Sequence, residues 1–399
     1  MILVVQELGK HVENVKSWNP QQASSNEMFS YIDLSSIDKD KKVIDLTQIQ
    51  RIVSVNAPSR ARQIVKKSDI LVSTVRPNLN GVAFVPDDLD NATASTGYCV
   101  LRANEKTLSA QYLFHWVQSN SFINEMVSKA TGANYPAVSD KIIKQSKIPL
   151  PPLAEQQKIA AILDAADSLR QKDQQLVERY TALSQSLFLE MFGDPVTNPM
   201  GWERKRISDV CLKVTDGTHQ SPKFTSEGIP FLLVSNIVNN QINFKTKKFI
   251  SELDYDALTK NTAIEKNDIL YTSVGSYGNP AIVEADIKFC FQRHIAHLKP
   301  NHKIINVKFL HAMLLSNFVK NQADKLARGV AQKTLNLKEI KSLEIYLPSY
   351  STQNQFAERI QLIEAQKQQA QLSLAKSEAL FNSLLQRAFT GELTAKLVA

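Results

Sequence analysis

Apolar and polar positions along this chain first form a pattern of short strands followed by a helix. Runs rich in β-branched and aromatic residues, separated by Pro, Asn and Gly, predict strands, and the amphipathic stretch after them predicts a helix. The runs are 70–75, 82–85 and 98–101, and the helical stretch is 109–129. The same order returns later at 269–274, 281–283, 295–298 and 307–327. Both regions are therefore predicted to be mixed α and β.

A second, longer pattern follows each mixed region. Residues 153–191 contain no Gly or Pro, which favours one continuous helix. Apolar residues alternate three and four apart, the spacing of a coiled-coil seam. In the first helix the predicted seam is Ile159, Ile162, Ala166, Leu169, Leu176, Tyr180, Leu183 and Leu187. In the second it is Phe356, Ile360, Ile363, Ala370, Leu374, Phe381 and Leu384, interrupted by Lys367 and Ser377.

The two long helices are predicted to act as a spacer. Gly193 and Pro195 end the first, and Gly391 ends the second. A helix of this length spans about 57 Å. Because neither can bury its apolar stripe alone, we expect them to pack antiparallel about a pseudo-twofold axis, with one mixed domain at each end. The alternative is that each helix packs only on its own domain.

Both patterns recur because the chain contains an internal duplication. From Leu101 almost to the C-terminus, residues correspond without gaps to those 197 positions later. Matching pairs are Leu101 and Leu298, Gly132 and Gly329, Pro151 and Pro348, Gln156 and Gln353, and Phe192 and Phe389. Upstream the offset is 199 or 200. Such a long period indicates duplicated domains, since solenoid repeats recur every few tens of residues.

The predicted fold class is α+β, with two similar mixed domains separated by two long antiparallel coiled-coil helices. The predicted boundaries are 1–150 for the first mixed domain, 151–192 for the first long helix, 193–202 for a linker, 203–350 for the second mixed domain and 351–391 for the second long helix. Two copies of one domain imply two similar sites.

Composition adds limits on location and redox chemistry. The chain has 43% hydrophobic and 22% charged residues, as expected of a soluble protein. Its start lacks the basic lead of a signal peptide, and we see no membrane-spanning apolar stretch, so we expect a cytoplasmic protein that does not bind membranes. Cys99, Cys211 and Cys290 are scattered, which indicates neither a disulfide framework nor a zinc site.

Charge is unevenly distributed. Residues 1–199 contain 21 basic and 21 acidic residues, whereas residues 200–399 contain 26 and 18, so the net charge of +8 comes from the second copy. A basic balance suits nucleic acid, because Lys and Arg release counterions from phosphates. On charge alone, a merely solvated surface is an equally good interpretation.

No catalytic motif is apparent. A DNA methyltransferase needs a cofactor-binding glycine loop and an Asp/Asn-Pro-Pro-aromatic motif, and the strings at 150–153 and 134–136 lack the required residues. No phosphate-binding loop of the GxxxxGK[ST] type occurs. His294 and His297 would lie on opposite faces of a predicted strand, which argues against shared metal binding.

Polar loops are better candidates for contact with DNA. Arg, Asn and Gln side chains bond base edges bidentately, and Lys contacts phosphate. The loops at 57–63, 73–80, 216–223 and 273–279 carry such residues at related positions of the two copies. The candidates are Ser59, Arg60, Arg62, Arg76, Asn78, Asn80, Thr218, His219, Lys223, Lys245, Lys247, Lys248, Tyr277, Asn279 and Arg293. For any single residue, a turn-stabilising or solvated role is the simpler interpretation.

Several motifs resemble the specificity subunit of type I restriction-modification systems. They are Ile-Pro-Leu-Pro-Pro-Leu-Ala-Glu-Gln-Gln-Lys-Ile at 148–159, Phe-Gly-Asp-Pro at 192–195, Asp-Gly-Thr-His at 216–219 and Gln-Arg-Ala-Phe-Thr-Gly-Glu-Leu at 386–393. The resemblance covers the whole chain. It implies two target recognition domains, each reading half of an interrupted, asymmetric sequence in double-stranded DNA, and helices that space them and dock partner subunits.

The resemblance also implies that this chain is not an enzyme and binds no cofactor. Its partners would be two modification subunits, which carry S-adenosylmethionine and methylate adenine at N6, and restriction subunits that use ATP and Mg²⁺. Residues 347–355 depart from the pattern, because the second helix starts without the double proline and Glu-Gln-Gln of the first. The placement of the second modification subunit is less well defined for that reason.

Two other functions are compatible with the residues. One is a coiled-coil adaptor that does not bind DNA, and the other is a methyltransferase or nuclease with divergent motifs. DNA retention would separate the first from the main interpretation, and methyl transfer by the purified chain alone would support the second.

Overall fold

The computed structural model describes residues 4–23, 26–219, 222–260, 263–284, 286–329 and 332–395. The chain forms two compact units, one of Met1–Gln174 with Gln371–Ala399 and one of Gln175–Ala370. Each unit therefore contains one mixed domain and about half of each long helix.

The first unit contains twelve strands within its described residues. They are β1 (Val5–Glu7), β2 (Val12–Glu13), β3 (Met28–Ile32), β4 (Ile37–Asp38), β5 (Val43–Ile44), β6 (Gln50–Val53), β7 (Ala61–Ile64), β8 (Ile70–Ser73), β9 (Val82–Phe84), β10 (Thr93–Ser95), β11 (Tyr98–Ala103) and β12 (Lys147–Pro149). The helices of this mixed domain are α1 (Ala110–Trp116), α2 (Asn120–Lys129) and α3 (Asp140–Gln145), and the first long helix, α4 (Leu153–Phe192), starts here.

The second unit repeats this order. Its strands are β13 (Glu203–Arg206), β14 (Cys211–Asp216), β15 (Ile229–Leu232), β16 (Ile237–Val238), β17 (Gln241–Ile242), β18 (Phe249–Ile250), β19 (Ile269–Thr272), β20 (Pro280–Ile282), β21 (Cys290–Phe291), β22 (Ile295–Pro300) and β23 (Glu344–Leu347). Its helices are α5 (Ile207–Val210), α6 (Glu252–Thr259), α7 (Val307–Leu314), α8 (Asn317–Leu326) and α9 (Leu337–Ser342), followed by the long α10 (Tyr350–Ala388); the short α11 (Glu392–Ala395) belongs to the first unit.

Sheet topology shows the duplication directly. The antiparallel sheet β2-β11-β8-β9 corresponds to β14-β22-β19-β20, and the small sheets β1-β12 and β4-β5 correspond to β13-β23 and β16-β17. The sheet β6-β3-β10-β7 corresponds to β18-β15-β21, and each contains one parallel pair, β3 with β10 and β15 with β21. The predicted α+β fold class with an internal repeat is confirmed.

Each predicted helical stretch after the strands is two helices rather than one. Ser119 caps α2 and Ser316 caps α8, their side chains accepting hydrogen bonds from the backbone N–H of Phe122 and Val319. A serine at this position satisfies a backbone donor that the helix itself leaves unpaired. The break therefore lies at the same place in both copies.

A fully buried glutamine joins each long helix to its mixed domain. Gln156 Oε1 accepts a bond from Ser109 N at 2.9 Å, and its Nε2 donates to Thr107 O at 3.0 Å and Pro151 O at 2.9 Å. Gln353 makes the matching three bonds to Asn306 N, Ile304 O and Pro348 O, at 2.8, 3.3 and 2.9 Å. The glutamine shared by the two helix starts is thus a structural clamp.

Within each unit the two long helices pack against one another and against the mixed domain. In the first unit Arg170 lies over the Phe381 ring at 5.6 Å, and Asp173 accepts a hydrogen bond from Ser373 at 3.1 Å, so the two segments are antiparallel. In the second unit Phe188 and Phe192 pack against Phe356 with ring centroids 5.9 and 5.2 Å apart.

The predicted seam holds for the second long helix and differs along the first. Phe356, Ile360 and Phe381 are buried, and Ile363, Leu374 and Leu384 are partly buried. In the first helix Ile159, Ala166 and Leu187 are buried and Ile162 is partly buried. Leu169, Leu176 and Leu183 are 46%, 39% and 48% exposed.

Helix rotation explains this difference. The row that faces inward in the first unit starts at the clamped Gln156 and continues seven residues apart through Leu163 and Arg170. The predicted row of Leu169, Leu176 and Leu183 is one residue out of step with this inward-facing row. One residue corresponds to a rotation of about 100° around a helix of 3.6 residues per turn. Arg170 can occupy the inner row because its guanidinium lies on Phe381 and pairs with Asp167 at 2.6 Å. In the described residues, no helix is both long and apolar enough to cross a bilayer.

Candidate nucleic-acid interface

One turn in the first mixed domain brings two arginine-bearing loops together. This turn, residues 95–97, connects β10 to β11. Thr96 N donates to Arg60 O at 2.8 Å on one side, and Thr74 N donates to Gly97 O at 2.9 Å on the other. The loops that carry Arg60 and Arg76 therefore adjoin the same turn, which the sequence alone did not indicate.

In the second mixed domain the turn at residues 292–294 keeps one of these contacts, that of Ser273 with His294, and makes the other with the loop after β14, the counterpart of the loop after β2 rather than of the Arg60 loop. Arg293 N donates to Thr218 O at 3.1 Å, and Ser273 N donates to His294 O at 3.0 Å. The loop containing Thr218 and the 273–279 loop thus adjoin the turn that carries Arg293. Residues 220 and 221, in the middle of the predicted 216–223 loop, lie outside the described residues.

In each copy a further loop, absent from the sequence-based candidates, faces the loop that carries Arg76 or Gly275. In the first copy Arg76 N donates to Pro136 O at 2.7 Å, and Val138 N to Thr74 O at 2.9 Å. In the second, Gly275 N donates to Lys333 O at 3.0 Å, and Leu335 N to Ser273 O at 2.8 Å. We call these the paired loops: residues 74–80 with 131–137 in the first copy, and 273–279 with 328–329 and 332–334 in the second, where residues 330 and 331 lie outside the described residues.

Glycines hold the second member of each pair in a tight reversal. Gly132 and Gly329 have φ of +106° and +110°, a conformation that side chains disfavour. An added Cβ would come within 3.0 Å of Tyr135 O in the first copy and 2.4 Å of Gln332 O in the second. The matching of Gly132 with Gly329 at the 197-residue offset was the signal in the sequence that could have drawn attention to these loops.

Arg76 occupies a strained position at the tip of the first paired loops. Its φ is +51° and ψ is +62°, whereas the matching residue of the second copy is Gly275 with φ +73°. A left-handed conformation costs a non-glycine residue about 1–2 kcal/mol. The Arg76 guanidinium lies 4.7 Å from the centroid of the Tyr135 ring, a contact that contributes only about 0.5–1 kcal/mol at exposed sites. Folding stability therefore does not account for an arginine here.

The other candidates of the first domain differ in how available their side chains are. Ser59, Arg60 and Asn78 are exposed. Arg62 is partly buried, and its Nε donates to Ser59 O at 2.8 Å. Arg62 also lines an open cleft of about 570 Å³, together with Ser17, Trp18, Asn19, Gln63, Thr96 and Asp140.

Three candidates have side-chain polar groups that already form hydrogen bonds within the protein. Asn80 Nδ2 donates to Val117 O at 2.7 Å, and its Oδ1 accepts a bond from Lys42 at 3.0 Å. The hydroxyl of Tyr277 donates to Asp324 at 2.6 Å, which raises the pKa of Tyr277. Asn279 Nδ2 donates to Ser276 O at 2.7 Å. These side chains stabilise the loops that carry them.

Basic and imidazole groups surround the turn and sheet of the second domain. His219 bonds Asp216 at 3.0 Å, and Arg293 is exposed. Burial, followed by the charge of Arg293, lowers the pKa of His294, so at neutral pH its imidazole can both donate and accept a hydrogen bond.

The lysine candidates lie near the three-stranded sheet of this domain. Lys223, Lys245 and Lys247 are exposed, and Lys248 lies 4.7 Å from the centroid of the Phe224 ring. The backbone of Lys248 accepts a bond from Phe231 N in β15 at 2.9 Å. Exposed ammonium groups of this kind are suited to contact with phosphates.

Sequence comparison gives a consistent result for both halves of the chain. A profile of the family described as "Type I restriction modification DNA specificity domain" matches residues 23–179 and 199–373. The "Type I restriction enzyme EcoBI specificity subunit" of Escherichia coli is 27% identical over 75% of this chain and 69% of its own length. The "Putative type I restriction enzyme MjaX specificity subunit" of Methanocaldococcus jannaschii is 24% identical over 88% and 85%.

Two solved structures resemble the chain along almost its full length. A chain described under "Structural basis underlying complex assembly and conformational transition of the type I R-M system" has a TM-score of 0.56 and 25% identity, with 98% of each chain covered. The type I restriction-modification S subunit from M. genitalium has a TM-score of 0.59 and 15% identity, covering 97% of this chain and 96% of that one. The likeness to the latter concerns the fold alone.

Proposed function

The chain belongs to the family of type I restriction-modification DNA specificity subunits, and from this premise we propose that each of its mixed domains reads one half of a two-part DNA target. The observation that supports this most directly is the duplicated interface. The paired loops have the same backbone bonds in both copies, and so does the contact of Thr74 or Ser273 with the neighbouring turn, whereas the exposed side chains differ. Two matched frames with different surfaces suit two different half-sites in double-stranded DNA.

Base contacts are proposed for exposed or partly exposed residues around each turn, and phosphate contacts for the outlying lysines. The proposed base-reading set is Arg60, Arg76 and Asn78 in the first domain and Thr218, His219 and Arg293 in the second. The proposed phosphate set is Lys223, Lys245, Lys247 and Lys248. Side chains of Asn80, Tyr277 and Asn279 support the loops instead.

The proposed role is recognition without catalysis, with the chemistry carried out by partner subunits. Modification subunits would supply S-adenosylmethionine and methylate adenine, and restriction subunits would use ATP and Mg²⁺. Because the target is chromosomal or incoming DNA, the complex is expected to work in the cytoplasm.

The exposed leucines of the first long helix are proposed to dock a modification subunit. Leu176 and Leu183 are seven residues apart on the surface of α4 in the second unit, and exposed apolar residues in register suit a partner helix. The variant Leu176→Gln/Leu183→Gln should copurify with less modification subunit, whereas Leu362→Gln, a 70% exposed position on α10, should not. Wild-type copurification of the double variant would contradict this docking surface.

The test of the function is the methylation pattern of plasmid DNA from cells that express this chain with its modification subunit. Modification-sensitive sequencing should reveal an interrupted two-part motif with N6-methyladenine in both halves. Absence of methylation that depends on this chain would refute the proposal and favour the coiled-coil adaptor. Methylation by the purified chain alone would favour an enzyme with divergent motifs.

A further inference from the structure

The paired loops place two residues of each copy at corresponding positions. Arg76 and Gly275 both have left-handed backbone and both donate to the facing loop, at Pro136 O and Lys333 O. The facing loops close with the same bonds, since Thr131 and Ala137 exchange two backbone bonds, as do Arg328 and Thr334. Counting from the glycines, Tyr135 of the first copy therefore corresponds to Gln332 of the second.

Side chains at these two positions are complementary within each copy. In the first copy a long cation, Arg76, lies over an aromatic ring, Tyr135, that is 68% exposed. In the second, Gly275 has no side chain, and an added Cβ would meet Gln332 Nε2 at 3.4 Å. Gln332 thus extends over the glycine into the region corresponding to that of the Arg76 side chain. One polar side chain occupies this region in each copy, with different hydrogen-bonding groups.

The chemistry of each side chain fits a different base pair. A guanidinium donates two parallel hydrogen bonds to O6 and N7 of guanine, and stacking on Tyr135 would fix the plane of that fork. A carboxamide donates to N7 and accepts from N6 of adenine. Arg76 is exposed, and its left-handed backbone would be less strained with glycine. Because folding stability does not explain the arginine, we assign its side chain a role in binding.

We propose that the paired-loop position is a specificity-determining site in both domains, where Arg76 reads a G·C pair in one half-site and Gln332 reads an A·T pair in the other. This inference rests on the proposed function. It assigns one base position in each half of the target to a named side chain.

The test uses the complex of the full chain with its modification subunit, read by modification-sensitive sequencing. Arg76→Gly should relax one G·C position in a single half-site, with discrimination falling on the order of 10- to 100-fold, and leave the other half unchanged. Gln332→Ala should relax one A·T position in the opposite half. Arg76→Gly relieves the positive φ, so loss of folding is not expected to confuse the result.

Two further variants separate base reading from charge and provide a control arginine. Arg76→Lys keeps the charge and loses the fork, so it should relax the same position as Arg76→Gly. Arg51→Ala removes an exposed arginine outside the paired loops and should leave the motif intact.

Three results would overturn the inference while leaving the proposed function standing. They are an unchanged motif in Arg76→Gly, equal loss of methylation on all sequences, and relaxation of the same half-site by the Arg76 and Gln332 variants. A wild-type complex that yields no two-part motif would instead overturn the proposed function itself.

Discussion

The buried Gln156 and Gln353 make the same three backbone bonds in the two units, whereas the matching positions of the paired loops are an arginine, Arg76, in one and a glycine, Gly275, in the other. The buried glutamines fix the backbone frame of each unit, and the loops carry the side chains that this frame exposes. Because a buried amide that loses its partners is costly and an exposed side chain is not, the frame resists change while the loop surface tolerates it. The comparison explains how two copies of one domain can recognise different sequences.

A buried aspartate directly before β8 and β19 is intermediate between the glutamine clamp, which is the same in both units, and the loops, which differ. Asp69 and Asp268 correspond at the 199-residue offset, and both are almost fully buried. Asp69 pairs with Arg102 through two bonds, at 2.8 and 2.7 Å. Asp268 is shared between His297 at 2.7 Å and Lys299, which corresponds to Arg102, at 3.3 Å. The acid is the same in both units, but its partners are not.

The largest expected effect is that of Arg102→Leu. This change leaves the buried Asp69 carboxylate with the Lys66 backbone N–H as its remaining donor. Breaking a buried pair in this way costs about 3–5 kcal/mol of unfolding free energy. Lys299→Leu should cost less, because His297 still bonds Asp268. Urea denaturation followed by tryptophan fluorescence measures both. Equal losses would mean that His297 does not compensate.

A smaller loss is expected when either glutamine clamp is removed. Gln156→Leu and Gln353→Leu each leave three backbone groups, some of them buried, without their partner, which should lower the unfolding free energy by about 2–4 kcal/mol. The effect should be similar in the two units because the bonds are the same. Gln157→Leu, at an exposed position on α4, is the matched control and should change stability by less than about 0.5 kcal/mol. A control as damaging as Gln156→Leu would show that the clamp is not the cause.

Much of the fold could be predicted because local pattern encodes it. The runs at 70–75, 82–85 and 98–101 contain β8, β9 and the start of β11. The first long helix was located from its lack of Gly and Pro, and the second from its apolar stripe at the matching place in the second copy. The rotation of α4 was not predicted, since leucine spacing alone does not state which row faces inward. The buried bonds of Gln156 fix that rotation, and they depend on residues almost fifty positions away.

The candidate interface was only partly accessible from sequence. Arginine-bearing loops could be identified by composition, and Arg60 and Arg76 adjoin one turn in the structure. The 131–137 loop was missed as an interface loop, because its backbone bond and the Tyr135 ring contact with Arg76 join residues about sixty positions apart. Backbone bonds of that range depend on the tertiary fold rather than on local sequence.

The charge difference between the domains predicts a difference in salt dependence. Each phosphate contact contributes about −0.9 to the slope of log affinity against log salt concentration, so Lys245→Gln/Lys247→Gln should reduce the slope by about 1.8. At physiological salt this is a loss of roughly 30-fold in affinity on all sequences alike. The pair Lys66→Gln/Lys67→Gln, two exposed lysines of the first domain, should change the slope less. A larger change in the first domain would contradict the assignment of non-specific binding to the second.

The smallest expected effect comes from substitutions at the left-handed position of the paired loops, which is Arg76 in one copy and Gly275 in the other. Gly275→Ala should lower the unfolding free energy by about 1 kcal/mol, because alanine disfavours the positive φ of this position. Arg76→Gly should be within about 0.5 kcal/mol of wild type, since relief of the left-handed strain is offset by the lost Tyr135 contact and the greater freedom of glycine in the unfolded chain. Urea denaturation of both variants measures the difference. If Arg76→Gly proved as damaging as Gly275→Ala, Arg76 would be retained for stability, and the distinction between an invariant frame and a variable loop surface would fail at this position.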